Sequence, residues 1–209
     1  MRSRDLYIVG ELFEPPTVDL GEIERVYIDS CCGGDTVLGL QLFHALKDKV
    51  TVTVTGRCVS AGILVMLAGS SIKMASDARL MIHSPVQHCV GNVSQLRAAA
   101  DGLQKVVAEV QAIIAERTGQ SAGSVCDWLS RDTWFTAEEA KAFGLVDLVF
   151  EATEAIAPAK LAEAMEPTTT PEERFFFSLL KAVRPLPVVD KQNFCRELNA
   201  WCVQNVKPL

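Results

Sequence analysis

The chain has 209 residues, 49% of them hydrophobic and 22% charged, with a formal net charge of −6. This is the balance of an ordinary globular protein, long enough for one packed domain with an appended segment, and it excludes disorder throughout. The acidic surplus argues against nucleic acid as a partner, and the absence of any run approaching about 18 apolar residues argues against a membrane span.

The opening residues MRSRDLYIVGE lack the apolar stretch of a signal peptide, so a cytoplasmic location is expected. Seven cysteines, at 31, 32, 58, 89, 126, 195 and 202, form no C-x-x-C pair, which points to reduced thiols and no zinc site.

In chain order, the first strands are expected at Leu6 to Val9 and at Arg25 to Asp29, where apolar Val26 and Ile28 alternate with Arg25, Tyr27 and Asp29. Pro15 and Pro16 mark the loop between them. After Gly33-Gly34, apolar residues at Val37, Leu40, Leu42, Phe43 and Leu46 follow the helical repeat, with Asp35 or Thr36 available as N-cap. Val50 to Thr55 alternates strictly between valine and threonine, a strand with two different faces, and Gly56 closes it. Ser60 to Leu67 is small and apolar all round, as a buried helix is.

Short strands are expected near Ile72 to Met74 and at Arg79 to His83. Ser94 to Glu116 carries the longest helical pattern, with Leu96, Leu103, Val106, Val107, Val110, Ile113 and Ile114 on one broad face. Ser121 to Leu129 reads as a short helix, and Thr136-Ala-Glu-Glu139 as a capping box that opens another. Leu145 to Phe150 closes the pattern as a strand. Strands alternating with helices predict an α/β unit over residues 1–151. Residues 152–173, rich in Ala, Pro, Thr and Glu, read as a linker, and 174–209 as a tail with a possible amphipathic helix.

Serine hydrolysis needs a hydroxyl on a tight turn, a histidine to take its proton, and a carboxylate to hold the histidine's tautomer. Ser60, between a strand and an apolar helix, has two readings: an N-cap, or a nucleophile placed where unpaired backbone N–H groups favour negative charge. Of three histidines, His83 is best placed, at a strand end facing a cleft; His44 lies within a helix and His88 in a loop. Asp132 lies just before the capping-box helix. It is either an ordinary surface carboxylate paired with Arg131 or the third group. Gly33-Gly34 offers a backbone N–H to an oxyanion, or is a plain turn. It is no phosphate loop, because the required glycine and lysine spacing is absent.

Taken together, Cys32-Gly-Gly34, Gly56 to Gly62, Met81-Ile-His-Ser-Pro85, Cys89-Val-Gly-Asn92, Arg117-Thr-Gly-Gln120, Arg131 to Ala140 and Gly144-Leu-Val-Asp147 resemble the Clp protease proteolytic subunit (ClpP) family and its phage prohead relatives. The likeness covers about residues 25–150. It implies a ClpP/crotonase-like αββ superhelix, an α/β fold of layered sheets with flanking helices. It implies a Ser60-His83-Asp132 triad, with Gly34 and Ala61 as oxyanion donors and no cofactor. It further implies a polypeptide substrate strand lying along Gln87, Cys89 and Gly91, and homo-oligomeric heptameric rings that stack as a tetradecamer, joined through the helix from Ser94.

Two departures qualify the pattern. Where the family reads Asn-Ser-Pro-Gly-Gly, this chain reads Asp29-Ser-Cys-Cys-Gly-Gly34, one residue longer and without proline. The region before Tyr27 is short and lacks the axial-loop segment, which leaves a Clp ATPase partner open. The expectation is therefore ATP-independent endopeptidase activity in an oligomeric chamber. The alternatives are a head maturation protease acting on capsid or scaffold proteins, a non-catalytic ring or assembly subunit, and an acyl-CoA enzyme of the crotonase type.

Overall fold

The computed structural model describes residues 4–152; the expected linker and tail lie outside the described residues. Eight strands form one sheet: β1 (Asp5–Leu12), β2 (Arg25–Gly34), β3 (Val50–Val54), β4 (Arg57–Val59), β5 (Gly69–Ala75), β6 (Arg79–Ile82), β7 (Thr133–Phe135) and β8 (Leu148–Phe150). Among the described residues, five α-helices accompany them: α1 (Thr36–Leu46), α2 (Ala61–Leu67), α3 (Val93–Thr118), α4 (Ala122–Leu129) and α5 (Ala137–Ala142). All strand pairings are parallel except that of β6 with β7.

The sheet forks at β2. Its first half, Arg25 to Ile28, pairs with β3, and beyond that point Cys31 pairs with Cys58 of β4. One branch continues through β3, β5 and β8, the other through β4, β6 and β7, while β1 runs along the opposite edge of β2. In open parallel sheets, sites form where neighbouring strands diverge at their C-terminal ends. Here that position is the end of β2.

Alternation decides which face is buried. Val50, Val52 and Val54 are almost fully buried, as are Val26 and Ile28 beside them, and each contributes about 1.5 to 3 kcal/mol on leaving water. All seven residues of α2 are buried, as its unbroken apolar sequence predicts. α1 crosses α2 at Gly39, where a Cβ would stand 2.9 Å from the Ala61 carbonyl oxygen, so the absence of a side chain sets the spacing.

The broad apolar face expected along α3 is buried only at Val110, Ile113 and Ile114. Leu96 at its N-terminal end is exposed, with Val90 and Val93 just before and at the helix start. His44 Nε2 meets Glu109 Oε1 at 2.7 Å and Lys47 Nζ meets Glu116 Oε1 at 2.9 Å, both joining α1 to the packed half of α3. At the helix end, Arg117 Nη2 donates to Asp147 Oδ1 at 2.7 Å, and the Ile72 N–H donates to Asp147 Oδ2 at 2.7 Å.

Candidate active site

β4 and α2 meet at Ser60, whose backbone has φ 55° and ψ −124°, a conformation that costs a non-glycine residue about 1 to 3 kcal/mol. Two hydrogen bonds and one strand pairing hold it there. The Ser60 N–H donates to the Met81 carbonyl at 3.0 Å, the Ile63 N–H donates to the Ser60 carbonyl at 3.0 Å, and β4 pairs with β6 on the way in. Of its two sequence readings, the N-cap is not realised: the Ser60 side chain makes no capping hydrogen bond. Its Oγ instead lies 2.7 Å from His83 Nε2.

His83 directly follows β6, and its side chain is 28% exposed. The Ser84 N–H donates to the Leu129 carbonyl at 2.8 Å, tying the histidine loop to the end of α4. Antiparallel pairing of Ile82 with Thr133 then brings the loop before β7 alongside. Asp132 Oδ1 stands 3.6 Å from His83 Nδ1, an ion-pair distance longer than a hydrogen bond, and the Asp132 side chain is 72% exposed. A carboxylate only accepts, so its position favours the proton on Nδ1 and leaves Nε2 to accept from the Ser60 hydroxyl.

The cleft at Ser60 and His83 is lined by Thr36, Ala61, Leu64, Pro85 and Val110, mainly apolar groups contributed by α1, α2, α3 and the loop after His83. Among the described residues, its only other side-chain hydroxyl is that of Thr36. At the end of β2, Gly33 has φ 81°, and a Cβ on it would lie 2.6 Å from the Ser60 Cβ and 3.1 Å from Oγ. Gly34, with φ 149°, backs onto Leu12 of β1 instead, where a Cβ would collide with the Leu12 backbone. The resemblance implies Gly34 as an oxyanion donor; of the two glycines, Gly33 is the one packed against the Ser60 side chain. Two register shifts between β1 and β2, which leave Ser30 and Cys32 unpaired against β1, set this alternation.

Gln87, Cys89 and Gly91 lie in an exposed segment between β6 and α3. Of that segment the cleft lining takes Pro85, not these three. The segment ends in a capping box, in which Asn92 accepts from the Gln95 N–H and Gln95 accepts from the Asn92 N–H. His44 is engaged by Glu109, and His88 is exposed. Among the described residues, no group of three or more His, Cys, Asp or Glu is placed to hold a metal ion, and no helix is long and apolar enough to cross a membrane.

Residues 21–153 match the Clp protease family pattern. An ATP-dependent Clp protease proteolytic subunit of Bacteroides fragilis is 33% identical over 145 residues, covering 67% of this chain and 70% of the relative. Proteolytic subunit 1 of Streptomyces avermitilis is 31% identical over 138 residues, covering 64% of this chain and 63% of the relative. Among solved structures, a ClpP1 mutant from Listeria monocytogenes superposes with a TM-score of 0.61 at 26% identity, covering 71% of this chain and 91% of that one. The forked sheet with its flanking helices is thus the ClpP-like α/β fold that the sequence resemblance implied, and the chain belongs to the Clp protease family.

Proposed function

We propose that the protein is a serine endopeptidase that cleaves polypeptides through an acyl-enzyme without consuming ATP. The observation that carries this reading is the 2.7 Å approach of Ser60 Oγ to His83 Nε2 at a strained strand-to-helix turn. As the Ser60 oxygen attacks a peptide carbonyl, His83 takes its proton and Asp132 balances the imidazolium. The tetrahedral oxyanion is received by the backbone N–H groups of Ala61, at the first position of α2, and of Gly34. On collapse the amine leaves with the proton from His83, and water then releases the acyl group by the reverse path.

The exposed stretch through Gln87, Cys89 and Gly91 is the edge along which an extended substrate is read, with one side chain directed into the Leu64 and Val110 cleft. The exposed start of α3, with Val90, Val93 and Leu96, suits burial between copies of the chain in a homo-oligomeric ring acting in the cytoplasm. Family membership supports both readings. The test is hydrolysis of a fluorogenic peptide by the full chain, without nucleotide, beside Ser60→Ala and His83→Ala. Both variants are expected to lose at least about a thousandfold in kcat. Wild-type turnover by Ser60→Ala would overturn the proposal.

A further inference from the structure

Three elements meet beneath the Ser60 turn, and two cysteine thiols fill the junction. Cys31 of β2 and Cys58 of β4 are register partners on neighbouring parallel strands, and both are fully buried. Gly62, in the first turn of α2, rests on both: a Cβ there would lie 2.7 Å from Cys31 Sγ and 3.4 Å from Cys58 Sγ. Gly33 follows Cys31 by two residues and Ser60 follows Cys58 by two. The contact between glycine turn and nucleophile therefore lies one strand repeat beyond the thiol junction.

Burial raises both thiols above the ordinary cysteine range. At Cys31 the Gly33 N–H partly offsets this, and at Cys58 the neighbouring Cys31 adds to it. They are therefore neutral packing groups, not nucleophiles. Cys31 also stands where the family pattern is broken, since Cys31 and Cys32 replace the single proline between Ser30 and Gly33.

We propose that Cys31 is a positioning residue for the Ser60 centre: its thiol, wedged between Gly62 and Cys58, sets the separation between the glycine turn and the nucleophile. This inference rests on Ser60 being the nucleophile. Neighbouring side chains leave little free room, so a change of one heavy atom here must move an element. Removing Sγ lets the end of β2 settle toward α2, and adding a methyl at Gly62 drives them apart. Either displaces the oxyanion donors from Ser60, which costs rate more than ground-state binding.

The two changes should cancel. In Cys31→Ala/Gly62→Ala, the new methyl occupies the volume that the deleted sulfur vacates. The measurements on the full-length protein are kcat and KM for a fluorogenic peptide, the rate of Ser60 phosphonylation by a fluorophosphonate, and Tm. Gly62→Ala is expected to lower kcat and phosphonylation about tenfold or more with KM within about threefold, and Cys31→Ala to lower them about fivefold. The double variant should return to within about threefold of wild type.

A double variant no better than Gly62→Ala would overturn the proposal. So would folded Cys31→Ala with wild-type kcat and phosphonylation, a comparison that stands even if Gly62→Ala alone fails to fold. Ser60→Ala is carried alongside. If it cleaves like wild type, the nucleophile assignment fails; if it is inactive and the cycle does not close, only the role of Cys31 fails.

Discussion

Gly33 and Ser60 approach so closely that a Cβ on the glycine would stand 2.6 Å from the serine Cβ and 3.0 Å from the Val59 carbonyl oxygen. Neither neighbour can yield cheaply, because Ser60 is itself pinned by the Met81 carbonyl and the start of α2. The glycine also needs its φ of 81°, which a side chain resists. Gly33→Ala is therefore expected to lower kcat about a hundredfold, with a fall in Tm of a few degrees. Steady-state kinetics on folded protein checks this, and an unchanged kcat would show that the turn does not serve the reaction.

The backbone of Ser60 is a store of strain that glycine would not feel. Replacing it by glycine should relieve that strain, offset partly by glycine's greater freedom in the unfolded chain, for a net gain of about 1 kcal/mol. Ser60→Ala keeps the strain and should stay near wild type in stability, although both variants are expected to be inactive. Denaturant unfolding of the pair distinguishes them. Equal stabilities would mean that the turn is not strained.

Asp132 is mostly exposed and stands 3.6 Å from the imidazole, so its hold on His83 is screened by water. Asp132→Asn should cost about ten- to a hundredfold in kcat, less than loss of either partner residue, and wild-type activity should fall as salt rises. A loss as large as that of His83→Ala at every salt concentration would indicate a tighter contact in the working enzyme.

Much of the frame is legible in the chain because local pattern and long-range burial agree. The alternating valines of β3 all point inward, the unbroken apolar run of α2 is wholly buried, and α1 follows the Gly33-Gly34 turn where expected. β4 and β7 were not expected as strands. Each is three residues long, too short for a periodic signal, and exists because of distant partners: Cys58 with Cys31 and Leu80, Phe135 with Leu80. β2 runs on to Gly34, five residues beyond the expected Asp29, through bulges that only pairing with β1 can specify.

The same limit applies at the site. The glycine doublet is visible in sequence, but which glycine touches Ser60 depends on those bulges. Ser60 and His83 could be proposed from turn and strand-end positions. Their 2.7 Å contact depends on β4 pairing with β6, and the looser Asp132 contact on the β6–β7 pair. The α3 pattern overstates its burial, since periodicity marks an apolar face without saying what covers it.

Asp147 links β5 to the end of α3. Burial alone would raise its pKa, but bonds from Arg117 and the Ile72 N–H, with the Arg117 charge, together hold it below the usual carboxylate value. A depressed folded pKa contributes stability that is present above the unfolded value, about 3.9, and is lost as pH falls through the folded pKa. Glu139 in its capping box, held down by the Thr136 N–H and hydroxyl, acts in the same direction. Arg117→Met should flatten the acid dependence: between about pH 5 and pH 3 its Tm should fall less steeply than that of wild type. Parallel curves would show that the Arg117–Asp147 bond carries no such linkage.

Whether Ser60 is an activated nucleophile is read from the site of covalent labelling by a fluorophosphonate. Native full-length protein would be treated, digested and mapped by mass spectrometry, beside His83→Ala. One phosphonyl group is expected, on Ser60, formed at least about a hundredfold more slowly without His83. Label on another serine, or equal labelling of Ser60 without His83, would contradict it.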